Sequence, residues 1–373
     1  MISDRAILDL SSKMMDPFCE SYRLIRYDLV TPMEFCDSSA KEIVNRTLIC
    51  PGAIIASTLI CNYPVPIIAG LAFIGLSGKM LRALGFALQS GNFTHVLGQG
   101  SEKNLAASLK LMTWNICGLA GGFSLDHGGV LPWKERFDAI VKTIKSEDPD
   151  VLVLQEIVDT ELAESLIEKL NTEYAHFFIH LGSSVWGVGS GCMVLSKCAI
   201  HDFSFTSFSN RDWTLHRGFA SLELKKSPEE EKPCIRILGT HLLYGRPSVA
   251  HASRMQQVAE MIDSIAKRTF SIPTIIAGDL NIERDHEDGV ELNNLLHHGY
   301  VGIEPTCTDQ FLAKWSQEKA LQFPEETVDY ISSVRSEPPV IFQDVHIVPA
   351  FENDVRTARS DHHALVAEIK ITK

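Results

Sequence analysis

From residue 109 onward, hydrophobic residues come in short bursts separated by turn-forming ones, the pattern of strands interleaved with a few helices. Apolar runs at Leu109–Asn115, Val151–Leu154, Ala175–Leu181, Gly191–Leu195, Ile200–Ser207, Phe219–Leu224, Ile235–Thr240, Val328–Ile331 and Ala364–Ile371 predict strands. Phe137, Ile140, Val141 and Ile144 stand at helical spacing and predict a helix over Trp133–Glu147; Glu161–Leu170 and Ser248–Arg268 read as helices too. The pivotal stretch is Pro273–Asn281. Ile275, Ile276 and Ala277 make a buried strand, Gly278 lets the backbone turn sharply, and Asp279 and Asn281 stand at the strand's end, where sheet enzymes keep their chemistry.

The first hundred residues follow a different pattern. Thr47 to Gly78 contains no charged residue, and Arg46 and Lys79 bound it. As one helix, Leu48–Leu76 would run about 44 Å, longer than the roughly 30 Å of bilayer hydrocarbon. Asn62-Tyr63-Pro64-Val65-Pro66 divides it into two arms. The expectation is an N-terminal hydrophobic helical segment: residues 1–46 lead into a membrane-inserted hairpin over 47–89, a linker follows over 90–108, and the catalytic domain occupies 109–373. Lys41, Arg46, Lys79 and Arg82 flank both outer ends, which places the protein at a membrane with its catalytic domain on the cytoplasmic side.

Charge narrows the choice of substrate. The net charge is −13, and residues 1–108 hold nine Lys/Arg against nine Asp/Glu, so the whole acidic excess lies in the larger part. Gripping many phosphates of a nucleic acid calls for a basic face, and this balance weighs against it. Nine cysteines without a C-x-x-C pair read as reduced, packed thiols, and the N-terminus shows no secretory signal.

Polar residues stand at the ends of several apolar runs: Asn115, Glu156 after Val151–Leu154, His241 and Asp279 with Asn281 close theirs, Asp329 lies in Val328–Ile331, and Asp361-His362 precede Ala364–Ile371. A carboxylate at the end of a buried strand is costly unless it is paired, bound to a cation or wet, which makes Glu156 a candidate metal ligand. Taken in order, WN, QE, TH, GDLN, DY and SDH resemble the endonuclease/exonuclease/phosphatase (DNase I-like) superfamily over Leu109–Lys373. The resemblance implies an α/β fold, a four-layer sandwich of two mostly antiparallel sheets flanked by helices, with the site at one edge. It implies Glu156 as principal metal ligand, with Asn115 and Asp361 beside it. Asp279 would position or deprotonate water, Asn281 would orient it, His241 and His362 would face the phosphate, and Asp329 would orient His362. Oxygen ligands favour Mg²⁺, with Mn²⁺ as the alternative.

Within that superfamily, Ile282-Glu283-Arg284 after GDLN departs from the 5-phosphatases, and a tyrosine replaces His241 in abasic-site endonucleases. Gly189-Ser190-Gly191, His216-Arg217-Gly218-Phe219, Thr240-His241-Leu242 and Arg254-x-Gln256-Gln257 resemble the neutral sphingomyelinases. The expected activity is that of a Mg²⁺-dependent phosphodiesterase acting on a membrane phospholipid such as sphingomyelin. The alternatives are a DNase I-like nuclease and a catalytically silent, membrane-tethered interaction module.

Overall fold

The computed structural model describes residues 91–105, 107–118, 130–182, 189–210, 216–245, 247–302, 304–307, 326–351 and 358–371, with a few isolated positions before residue 86. Among the described residues from 91 onward, thirteen strands and four helices run in chain order between residues 94 and 370. They are β1 (Thr94–Leu97), β2 (Ser108–Asn115), α1 (Trp133–Glu147), β3 (Val151–Gln155), α2 (Thr160–Leu170), β4 (His176–Ile179), β5 (Met193–Ser196), β6 (Ile200–Ser207), β7 (Gly218–Lys225), β8 (Pro233–His241), α3 (Pro247–Ala266), β9 (Thr274–Asp279), α4 (Glu287–Leu295), β10 (Leu296–His298), β11 (Asp329–Val334), β12 (Ile341–Val348) and β13 (Ala364–Lys370).

One sheet has the order β1-β4-β5-β3-β2-β13-β12, the other β10-β11-β9-β8-β7-β6. Each contains a single parallel pair, β2 with β3 and β8 with β9, and every other pairing is antiparallel. Parallel neighbours need a crossover, and α1 and α3 supply it. The result is two mixed sheets flanked by helices, the expected α/β sandwich.

The two-residue period of the strands decides what faces what. Leu109, Leu111, Val151 and Val153 of one sheet meet Ile235, Ile237, Ile275, Ala277 and Ile331 of the other in a shared core. The alternate residues face outward: Met112, Trp114, Leu152 and Leu154 pack under α1 and α2, while Leu238, Ile276 and Tyr330 pack under α3 and α4. Carried one step further, the same parity puts Asn115, His241, Asp279 and Asp329 on the inner side at the strand ends, so residues of both sheets converge.

Glycines bring the layers close. A Cβ on Gly239 would stand 2.9 Å from a methyl of Val153 in the opposite sheet, and one on Gly278 would stand 1.9 Å from the Thr240 carbonyl oxygen. Gly278 therefore serves the contact of β9 with β8; the left-handed residue of the turn is Asn281, at φ 52°. Gly278 itself stands at φ 151°, a backbone conformation that L side chains rarely adopt, so both the close approach and the backbone call for glycine there. At the far end of the second sheet, Arg236 and Glu223 form a fully buried pair at 3.0 Å, and Arg236 also donates to Thr274 Oγ1 and the Phe270 carbonyl.

Two sequence expectations are corrected by the structure. Residues 90–108 are not a free linker: β1 pairs with β4, Gly98 N donates to the Ala175 carbonyl, and Leu105 is buried in the shared core. Elements β10, β12 and α4 went unanticipated because they are short or half exposed, so apolar periodicity is weak in them. Most of the expected hairpin over 47–89 lies outside the described residues, as does nearly all of 1–46. No helix among the described residues is long and apolar enough to cross a membrane, so the transmembrane expectation has no support there. The described cysteines, Cys117, Cys192, Cys198, Cys234 and Cys307, are free thiols.

Candidate active site

The carboxyl ends of β2, β3, β8 and β9 open at the same edge, and Asp279 is the hub of what gathers there. Its Oδ2 accepts a hydrogen bond from Asn115 Nδ2 at 3.1 Å and lies 3.5 Å from His241 Nε2 and 3.9 Å from His362 Nε2. Its Oδ1 accepts from the backbone N–H of Asn281 at 2.8 Å. Asn281 Nδ2 in turn donates to the Leu242 carbonyl, tying the loop after β9 to the loop after β8. Asp279 and Asp329 are register partners on β9 and β11, and Asp329 Oδ2 holds His362 Nδ1 at 2.8 Å. Glu156 sits just past β3 at φ 61°, and the same Asn115 Nδ2 donates to its Oε1 at 3.1 Å. Asp361 lies beside Glu156 and accepts from Ser360 Oγ at 3.2 Å.

The structure thus assembles Asn115, Glu156, His241, Asp279, Asn281, Asp329, Asp361 and His362 in one region. His363 accepts a hydrogen bond from Ala350 N and packs on Phe351.

Several supporting residues gave little sequence signal. Arg136 donates to the carbonyls of Leu131, Ile116, Cys117 and Arg359, fastening the segment after β2 to the one before β13. Its signal was an arginine on the apolar stripe of α1, three residues after Trp133 and four before Ile140. Thr306 Oγ1 accepts from the N–H groups of Val328 and Asp329, and Cys307 forms a β-bridge with His362. These lie in an irregular segment with no periodicity to read. Arg217, from the His-Arg-Gly-Phe stretch, donates to the carbonyls of His241 and Leu242.

Burial sets the protonation states. It pushes the Glu156 carboxyl up to about 7, helped by neighbouring Asp361 and opposed by the Asn115 amide. It pushes Asp279 up to about 6, with His362 opposing and Asp329 adding. Burial, with Arg217 and His362 nearby, holds His241 well below the ordinary imidazole value, so it is neutral at pH 7. For His362 burial works against charge, yet the Asp329 carboxylate held against its Nδ1 favours it and keeps the imidazole above the usual value. One imidazole is a neutral polar group and the other a cation.

The donor chemistry fits a hard divalent ion. Glu156 and Asp361 offer oxygen only, and neither forms an ion pair with a cationic side chain among the described residues. A second grouping, Asp279, Asp329 and His362, has ligand atoms within 4.8 Å of one another. There His362 Nδ1 is already engaged by Asp329, which makes that grouping a hydrogen-bonded chain first.

Stability without metal should register the strained carboxyl. A folded-state pKa raised from 4.5 to about 7 means the native state holds a proton that the unfolded chain releases, so stability falls as pH climbs through that window. In EDTA, Glu156→Gln is expected to match the parent near pH 5 and to exceed it at pH 8 by on the order of 2 kcal/mol. Thermal melts at the two pH values check this; equal melting at pH 8 contradicts it.

Buried acids and imidazoles at the strand ends of a double-sheet sandwich, beside oxygen ligands for a divalent cation, equip a hydrolase for cutting phosphate esters. The family model of the Endonuclease/Exonuclease/phosphatase family matches residues 112–362, and the chain belongs to that family. Sphingomyelinase C 2 of Leptospira interrogans is 25% identical over 271 residues, covering 64% of this chain and 41% of that protein. Protein angel homolog 2 of Mus musculus is 32% identical over 167 residues, covering 41% of this chain and 29% of that protein. The match thus spans less than half the length of either relative. Among solved structures, D. rerio TDP2 complexed with single strand DNA product superposes with a TM-score of 0.53 at 15% identity, covering 70% of this chain and 98% of that one.

Proposed function

We propose that this chain is a divalent-cation-dependent phosphodiesterase that hydrolyses a membrane phospholipid of the sphingomyelin type. The observation that carries the reading is the convergence on Asp279 Oδ2 of Asn115, His241 and His362, drawn from both sheets. Glu156 and Asp361 would hold the cation, Mg²⁺ in the first instance, with Asn115 hydrogen-bonded to both Glu156 and Asp279. When bound, the cation neutralises charge on the phosphoryl oxygens.

Asp279, with a pKa near neutrality and one oxygen pinned by Asn281, takes a proton from the attacking water. His362, cationic and oriented by Asp329, gives a proton to the departing oxygen. Neutral His241 donates from Nε2 to a phosphoryl oxygen without adding charge.

The lipid preference rests on the likeness to the leptospiral sphingomyelinase, the acidic balance of residues 109–373 and the uncharged run from Thr47 to Gly78. That run anchors the protein at a membrane with the catalytic part on the cytoplasmic side. At Phe73 and Met80, two described positions in and just after it, apolar side chains are exposed on helical backbone. A nuclease is the second reading, favoured by the likeness to TDP2 with its single strand DNA product.

The full chain with Mg²⁺ should be offered sphingomyelin vesicles, single-stranded and plasmid DNA, and bis-p-nitrophenyl phosphate. Release of phosphocholine supports the lipid reading, and DNA cleavage without lipid turnover replaces it with the nuclease. Inertness toward all four defeats the enzymatic reading and leaves a silent module.

A further inference from the structure

On the outer edge of the first sheet stands a cluster of side chains that the proposed chemistry does not use. In the β1/β4 register Leu97 faces His176 and His95 faces Phe178, so His95 and His176 lie diagonally on one sheet face. His95 Nε2 and His176 Nδ1 are 3.2 Å apart. The other nitrogen of His176, Nε2, lies 2.9 Å from Glu102 Oε1. The His95 ring is stacked on Phe178 with centroids 4.4 Å apart and planes at 11°, so its direction is fixed although the residue is exposed. His176 is buried, and Glu102 reaches it from the surface.

Two imidazole nitrogens bound to one tetrahedral zinc at 2.0–2.1 Å stand about 3.3 Å from each other, close to the separation here. Metal-binding histidines also direct their second ring nitrogen to a carboxylate, which fixes the tautomer and leaves the coordinating nitrogen with its lone pair. His176 has that arrangement, with Glu102 fixing Nε2–H and leaving Nδ1 bare. His95 presents Nε2 once its proton sits on Nδ1, a tautomer change only. Burial and the adjacent His176 lower the pKa of His95, which keeps it neutral near pH 7.

We propose that His95 and His176, backed by Glu102, form a two-imidazole site for a borderline-soft divalent cation of the Zn²⁺ class, with the remaining coordination positions open to solvent. Imidazole ligands select Zn²⁺, Cu²⁺ or Ni²⁺ over Mg²⁺, so the site is chemically orthogonal to the oxygen ligands at Glu156. A cation there clamps β1 to β4.

The test is a Zn²⁺ titration of the full chain by calorimetry in saturating Mg²⁺, with thermal melts alongside. The proposal expects one zinc equivalent and a rise in Tm in the parent protein, both lost in His95→Ala and in His176→Ala. Glu102→Gln should weaken binding by about 10–100-fold. Asp279→Asn, which alters the catalytic region, should retain that equivalent. His95 is exposed, so His95→Ala and His95→Gln are expected to fold, and circular dichroism checks it. If His95→Ala and His95→Gln bind zinc as the parent does, or if the parent binds none beyond what Asp279→Asn removes, the cluster is only a Glu102–His176–His95 hydrogen-bond chain and the proposal is overturned.

Discussion

Asp279→Asn is expected to lower phosphodiester turnover by about 10³-fold or more while leaving the fold in place. The substitution keeps shape and keeps an oxygen for the Asn281 N–H, but removes the atom to which Asn115, His241 and His362 are directed, or its charge. A purely structural role would show as lost stability, so the decisive measurement is the pH profile. With a carboxyl near 6, the parent's rate should climb as pH rises through that value, because the base works only when deprotonated. The residual activity of the Asn variant should lack that limb. A variant that retains both the rate and the limb removes Asp279 from the role of base.

The second large effect lies far from the chemistry. Arg236→Ala should destabilise the protein by roughly 3–5 kcal/mol, because it strands the Glu223 carboxylate in the interior. For a domain of this size that corresponds to a fall in Tm of about 8–15 °C. Arg236→Met combined with Glu223→Leu removes both charges together and should recover most of the loss. Calorimetry on the three proteins separates the cases, and a single mutant melting within a degree or two of the parent would falsify the assignment.

Strands buried on both faces were the easiest parts of the fold to read. Val151–Leu154 and Ile275–Ala277 are continuous apolar runs, and their boundaries in the structure, β3 and β9, differ by only a residue or two. Edge elements were harder. In β12, Gln343 and Asp344 interrupt the run because that side of the strand meets water, and β1 has only four residues amid glycines and polar groups. The eight site candidates were legible as a set because each stands at or beside one end of an apolar run. Arg136, Thr306 and Cys307 act through backbone carbonyls, N–H groups and a lone bridge, contacts that depend on which loops become neighbours. No local pattern encodes that adjacency. The contact made at Gly278 was hidden for the same reason, since the atom it makes room for belongs to Thr240, far away in the sequence.

In the first sheet β13 lies between β2 and β12, so a strand from the far end of the described chain is the partner of one of the earliest. His362 and Asp361 arrive with it. A nascent polypeptide, or one shortened by the final fifteen residues, therefore carries half-built ion and phosphate contacts and an unpaired Leu109–Asn115 edge.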